Sequence, residues 1–320
     1  MKKHSVFISV FFLIFSLNTQ AGSIEKKYLT VDVDLKAVKV SKHVYFVQGK
    51  AGIATDNAGF ISNAGFVVTN DGVVVFDALG TPSLAVKLYK EIRKVTQQPI
   101  RYVIMSHYHA DHLYGLQVFK ELGAKVIAPQ GARVYLASNV SDNLLATRRM
   151  DLAPWVNEST HLIPADQYID TEYKFSLGGI QFKITPLGNA HSEGDLTLLV
   201  DPDNVLFSGD LIFEGRIPFV GQANIFNWLK ALETMRNVNV TAVLPGHGPL
   251  AKDPNALINM TYNYLSLLKN KMQTAVENWT PFAEAYAQID WGDYMFLPAF
   301  DAANRKNAYN VFLFMESALQ

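Results

Sequence analysis

Three imidazoles and a carboxylate fall within six residues, at His107, His109, Asp111 and His112, directly behind the apolar run 102–105. No other stretch constrains the fold so tightly. In an extended segment His107 and His109 project to the same side, so both can reach one cation. Asp111 and His112 lie past a bend and can reach a second cation about 3.5–4 Å away. A solvated His-rich loop is the bland alternative. It is a poor one, because three of only eight His in the chain stand at fixed places beside an Asp.

Three later segments extend the pattern. Gly188-Asn189-Ala190-His191-Ser192-Glu193-Gly194-Asp195, Phe207-Ser208-Gly209-Asp210 and Pro245-Gly246-His247-Gly248 each carry a further donor and each follow a short apolar run. The runs 102–105, 180–185, 205–207 and 241–244 read as strands that lead into a candidate ligand, which implies one shared rim beyond strand ends. Elsewhere, 44–47, 65–69 and 72–77 read as an antiparallel opening joined at Asn70-Asp71. Helical periodicity covers 83–95, ending before Pro99. A βα alternation follows, with a helix at 113–122, a strand at 125–128 and a helix at 130–149.

With its H-x-H-x-D-H spelling and three later segments in order, the chain resembles the metallo-β-lactamase superfamily over most of its length. The resemblance implies an α/β fold, an αββα sandwich of two mixed sheets with helices outside, the metals at one edge and a C-terminal helical appendage. It puts His107, His109 and His191 on a first metal, and Asp111, His112 and His247 on a second, with Asp210 bridging. Zn²⁺ suits imidazole and carboxylate best, and Fe and Mn accept the same ligand types. Asp77, which closes its strand, would brace the histidine loop by the same resemblance, or act as a turn or cap aspartate.

Two cations sharing a water lower its pKa from about 15.7 to near 7, so hydrolysis needs no Ser or Cys nucleophile. Asp111 would orient the water or relay its proton, as the catalytic carboxylate. An aspartate bridging from a Gly-Asp dipeptide looks like thioesterase, lactonase and related binuclear members of the superfamily, so the resemblance implies an ester, thioester, lactone or amide bond of a small molecule. The absence of Cys leaves the all-His β-lactamase arrangement open. Two other classes stay open: an iron-dependent oxygen-using enzyme of the same fold, and a non-catalytic metal-binding partner of a periplasmic redox system. The segment from Asp210 to Phe219 is also similar to exported members associated with quinoprotein and sulfur-oxidation systems. Within it, Arg216 would clamp a carboxylate, sulfate or phosphate of the substrate, or else make an ordinary surface salt bridge.

Lys2 and Lys3, a twelve-residue apolar run from Val6 to Leu17, and small residues at Thr19 and Ala21 form an export signal, with cleavage after Ala21. The expected organisation is a signal peptide at 1–21, the metal-binding domain at 22–253 and a helical extension at 254–320. The product would be periplasmic or secreted, without a membrane span. A formal net charge of −1 offers no footprint for nucleic acid, and nothing in the sequence dictates an oligomer. In the tail, Leu257, Ile258, Tyr262, Leu265, Leu268, Met272 and Val276 form a helical stripe, with a final helix near 302–318. Tyr262, Trp279, Phe282, Tyr286, Trp291 and Tyr294 either wall a substrate pocket or dock the helices on the sandwich. The stretch 49–63 is either a flap beside the site or a surface loop.

Overall fold

The structure, a computed structural model, describes residues 24–250 and 253–318. The expected signal peptide at 1–21 lies outside the described residues. Two mixed sheets form the centre. The first has seven strands in sequential order: β1 (Ala37–Lys39), β2 (Val44–Val47), β3 (Ala64–Val68), β4 (Val73–Phe76), β5 (Ile100–Ile104), β6 (Lys125–Pro129) and β7 (Gln167–Ile169). Pairing is antiparallel up to β4 and parallel from β4 onward. The second runs β12-β11-β10-β9-β8, built from β8 (Tyr173–Leu177), β9 (Ile180–Gly188), β10 (Asp195–Asp201), β11 (Val205–Phe213) and β12 (Ala242–His247), with β11 and β12 parallel.

Strand alternation sorts the apolar residues into three layers. On β4, Val74 and Phe76 face the second sheet, where Phe76 meets Phe207 with centroids 5.0 Å apart. Val73 and Val75 face the other way, into the helices of the first sheet's outer side. Leu206 of β11 likewise points outward, against the helices Ile225–Arg236, Pro254–Glu277 and Phe300–Ala318. Helices thus cover both outer faces, giving the expected αββα sandwich, with the C-terminal helices packed in the layer outside the second sheet.

Local chemistry explains the crossover from β4 to β5. The helix Pro82–Val95 starts at Thr81, whose hydroxyl accepts from Leu84 N, with Pro82 in the first turn. Its Leu84, Leu88 and Ile92 are buried on one face. Two helical readings need correction. The stretch 113–122 is two short helices, Ala110–Leu113 and Leu116–Glu121. The stretch 130–149 also divides, into Gln130–Leu136 and Asn139–Asp151. Ser138 makes the second break, because its N–H and its hydroxyl both donate to Tyr135 O and end the first helix.

The strands that deliver ligands are also longer than their apolar cores suggest. Asp210 lies inside β11, and His247 is the last residue of β12, rather than in loops beyond them. The β11–β12 register shifts on either side of Gly209, whose φ is 54°. Extra residues on β11 on both sides of Gly209 re-aim the strand next to the site.

Among the described residues, no helix is long and apolar enough to cross a membrane.

Candidate metal centre

The seven donor residues meet at one edge of the sandwich. They fall into two groups whose candidate ligand atoms lie within 4.8 Å of one another: His107, His109, His191 and Asp210 in one, Asp111, His112 and His247 in the other. The division comes from the backbone. His109 is extended (φ −70°, ψ 148°) and opens the short helix Ala110–Leu113, with His112 N–H donating to its carbonyl at 3.0 Å. That single turn carries Asp111 and His112 to the second group.

Asp210 stands between the groups. Its Oδ2 is 3.8 Å from His107 Nε2, 3.5 Å from His191 Nε2 and 3.2 Å from His247 Nε2, while its Oδ1 is 3.1 Å from His112 Nε2. His247 Nε2 also lies 3.2 Å from Asp111 Oδ2, and His191 Nε2 lies 2.9 Å from His109 Nδ1. Two ligand atoms at about 2.0–2.2 Å from a tetrahedral cation are about 3.3–3.6 Å apart, and the observed spacings bracket that range.

Buried atoms without partners test the fit to a cation. Nε2 of His107, Nε2 of His112 and Oδ1 of Asp210 are buried with no hydrogen bond among the described residues. The 3.1 Å approach of the last two is not aligned as a hydrogen bond. Each such atom costs about 1–3 kcal/mol, and cations held by the two donor groups would satisfy them.

The opposite ring nitrogens are held by other groups, which fixes the tautomers. His112 Nδ1–H donates to Asp77 Oδ2 at 2.9 Å, and His247 Nδ1–H donates to the Ile61 carbonyl at 2.8 Å. The Ser106 hydroxyl donates to Asp77 Oδ2 at 2.8 Å and so accepts from His107 Nδ1–H at 2.9 Å. Each of these three rings therefore turns an Nε2 lone pair toward the centre. Asp77 also accepts from Ser106 N at 2.7 Å, so of its two readings the brace is the one its contacts support.

Electrostatics follows the same division. Burial pushes His107, His109 and His191 below the ordinary histidine range, His191 to about 3, so these rings stay neutral. Burial also opposes the charged forms of His112 and His247, but Asp210 and Asp111 outweigh it and raise both. Burial likewise works against ionisation of Asp111 and Asp210, yet His112 and His247 hold both carboxyls below their usual range. The result is a pair of ionised carboxylates facing three neutral rings and two, His112 and His247, that attract positive charge beside them, a place where a divalent cation would take over from the protons.

Residues that the ligand pattern does not mark support the centre. Asp195 Oδ2 accepts from Ala190 N at 3.2 Å and Ser192 N at 2.9 Å, closing the turn that carries His191. The His191 ring rests against Trp228 at 4.9 Å, and the His247 ring lies flat on Phe213 at 4.9 Å. The foot of the 49–63 stretch is part of the site. Asn63 donates to Pro245 O at 2.8 Å and Gly248 O at 2.9 Å, and Ser62 donates to Asp111 O. Asn63 stands out in the sequence only as one of several polar residues in a Gly/Ala/Asn-rich loop.

Arg216 makes no surface salt bridge. It is 7% exposed, with Nη1 3.4 Å from His247 Nδ1, and makes no ion pair among the described residues. Burial lowers its pKa, and Asp111 and Asp210 push it back up. Of the tail aromatics, Phe282, Tyr286 and Trp291 form a run of tilted ring contacts, with Phe282 edge-on to Tyr309 of the last helix, while Trp279 is 93% exposed. His43 pairs with Asp203 and His161 lies by Ser159 O, both away from the cluster. His4 lies outside the described residues.

Residues 57–247 match the Metallo-beta-lactamase superfamily. The chain is 25% identical over 252 residues to a metallo-beta-lactamase type 2 of Elizabethkingia meningoseptica, covering 77% of this chain and 90% of that one. It is 22% identical to a beta-lactamase-like protein 2 homolog of Caenorhabditis elegans, over 53% of this chain, and spans half of that relative. Among solved structures, a metallo-beta-lactamase from Pontibacter korlensis superposes with a TM-score of 0.57 at 20% identity, over 73% of this chain and 99% of that one. A stereoselective inverting sec-alkylsulfatase from a Pseudomonas species superposes with a TM-score of 0.68 at 16% identity, over 88% of this chain and half of that one. At these identities the superpositions speak for the fold alone.

Proposed function

This chain belongs to the metallo-β-lactamase superfamily of metal-dependent hydrolases, and from that membership we propose that it is an exported binuclear zinc hydrolase cleaving an ester, thioester, lactone or amide bond of a small molecule. The observation that carries this reading is Asp210, whose carboxylate lies within 3.8 Å of four Nε2 atoms, two from each donor group. In this reading His107, His109 and His191 would hold one metal, Asp111, His112 and His247 the other, and Asp210 would serve both.

When bound, two such cations would supply Lewis-acid polarisation of the scissile oxygen and a water made nucleophilic near neutral pH. The chain's own residues do the rest. Asp111, whose side chain keeps 20% exposure, would orient that water and take up its proton at a carboxylate oxygen. Arg216, buried beside His247 without a carboxylate of its own, takes an anionic group of the substrate. Phe213, Trp228 and the Ile61 carbonyl hold the imidazoles in place.

A sulfate ester is a second reading. It is supported by the buried Arg216 cation, which suits a sulfate as it does a carboxylate. The deciding assay gives the mature, metal-loaded protein p-nitrophenyl acetate, an acyl thioester, a lactone, an alkyl sulfate and a chromogenic cephalosporin, each before and after chelation. Turnover of an ester, thioester or lactone that chelation abolishes and Zn²⁺ restores is the expected result. Turnover confined to the alkyl sulfate or the cephalosporin moves the assignment to that substrate. No turnover by a fully loaded protein leaves the metal-binding redox partner, and oxygen uptake the oxygen-using enzyme. The exported product should begin near Gly22, and a mature chain retaining residues 1–21 on a membrane contradicts export.

A further inference from the structure

The loop after β11 returns from the metal centre to the C-terminal helices, and one side chain grips it on both sides of Phe219. Asn307 Nδ2 donates to Pro218 O at 2.7 Å, and its Oδ1 accepts from Val220 N at 3.0 Å. An amide is the side chain that can pair with a peptide carbonyl and a peptide N–H together. Asn310 adds a bond to Gly221 O at 2.7 Å, and Ile217 N donates to Pro298 O at 3.0 Å. Four backbone groups within five residues are therefore bonded to the C-terminal segment.

Asn307 is itself fixed. It is 1% exposed, and its Nδ2 also donates to Tyr264 OH at 2.9 Å. That hydroxyl donates to Asn304 Oδ1 at 2.8 Å, and Asn304 Nδ2 donates to Tyr286 OH at 3.1 Å. Each polar atom of Asn307 is satisfied, and a fully satisfied buried network is rigid. A loop needing only an anchor would have its apolar residue packed inward. Phe219 instead keeps 40% exposure, and its ring meets the His109 ring at 5.9 Å and 78°. A large apolar ring is thus held half in solvent at the edge of the first donor group.

From this we infer that Phe219 is a specificity-determining wall for an aryl or bulky alkyl group of the substrate, and that Asn307 is the positioning residue that presents it. The inference rests on the hydrolytic reading above only in using its site. It makes the C-terminal helices part of substrate selection, because the ring's place depends on hydrogen bonds from the helix Phe300–Ala318. An aromatic pair in offset or edge-to-face contact accounts for about a tenfold preference for a ligand that makes it over one that does not.

Binding of phenylacetate and of acetate to the metal-loaded protein, measured by titration calorimetry, tests this without requiring turnover. The native protein should bind phenylacetate about tenfold tighter than acetate, and Phe219→Ala should reduce the ratio to about twofold. Asn307→Asp keeps the acceptor for Val220 N but sets a carboxylate oxygen against Pro218 O. It should lower the ratio in the same way while metal content and acetate affinity stay within about twofold. A purely structural Asn307 would lower Tm and leave the ratio at the native value, which overturns its positioning role. If Asn307→Asp does not fold, Asn310→Ala, which loses only the bond to Gly221 O, should lower the ratio part of the way, and an unchanged ratio again overturns it. A native protein without preference for phenylacetate, or a Phe219→Ala protein that keeps it, overturns the assignment of Phe219. Ester turnover without aryl preference would sink this inference alone, and aryl-selective binding without turnover of any substrate would sink the hydrolytic reading alone.

Discussion

Asp77 Oδ2 lies 2.9 Å from Nδ1 of His112, a ring it holds with Nε2 facing the donor cluster. The same carboxylate accepts from both the backbone and the hydroxyl of Ser106. One side chain, set at a φ of 61° where a strand ends, therefore orients two of the histidines, one directly and one through Ser106.

Asp77→Asn tests that role. Asn tolerates the left-handed backbone, and its oxygen can still accept from Ser106 N, but an amide nitrogen would face His112 Nδ1. The ring would have to move its proton to Nε2, removing the inward lone pair. Metal affinity should fall about 10–100-fold with the fold retained, as measured by competition with a chromophoric chelator. Unchanged affinity would reduce Asp77 to a turn residue.

Gly246→Ala probes how closely β12 approaches the site. A Cβ at that position would collide with Asp210 Oδ1 and with the backbone of Gly209, so either the carboxylate or the strand must shift. Overpacking of this kind costs about 1–3 kcal/mol. Metal affinity should fall along with Tm. A drop in Tm with metal affinity intact would mean that the strand yields and Asp210 does not.

The four ligand segments were legible because ligation demands particular side chains, and His107, His109, Asp111 and His112 crowd them into six residues. The strands were legible as short apolar runs, as in Val73 to Phe76, and their layering as what the family resemblance implies. What holds the ligands was less so. The Ile61 carbonyl orients His247 across 186 residues, and a backbone oxygen carries no sequence signal. Asn307 in the final helix looks like any polar helical residue until its partners at Pro218 and Val220 are seen. Asp210 was expected beyond a strand because the apolar run ends at Phe207, whereas hydrogen bonding to β12 continues past the Gly209 bulge.

Asp203 links the two sheets and gives a pH-dependent prediction. It accepts from His43 N at 2.9 Å, from the Ser41 hydroxyl and from His43 Nδ1 at 2.6 Å. Burial raises its pKa, but the bonds from Ser41 and His43 outweigh this and hold it below the usual carboxylate value. A depressed folded pKa means stability that is present above the unfolded value near 3.8 and lost as pH falls through the folded one. Asp203→Asn should therefore cost about 1–3 kcal/mol at pH 7 and less at pH 2, below the unfolded value. Equal losses in Tm at both pH values would show that the charge of Asp203 does not matter.

The bridging position of Asp210 is tested most directly by metal stoichiometry and kcat measured on one preparation of Asp210→Asn. A carboxylate shared by two coordination shells supports both, so the variant should bind metal more weakly at both positions, by elemental analysis after dialysis against a buffered Zn²⁺ concentration. Turnover should fall by about 10², or about 2.7 kcal/mol of transition-state stabilisation, with the circular dichroism spectrum unchanged. Two tightly held metals and a native kcat in the same sample would contradict the binuclear assignment and remove Asp210 from the site.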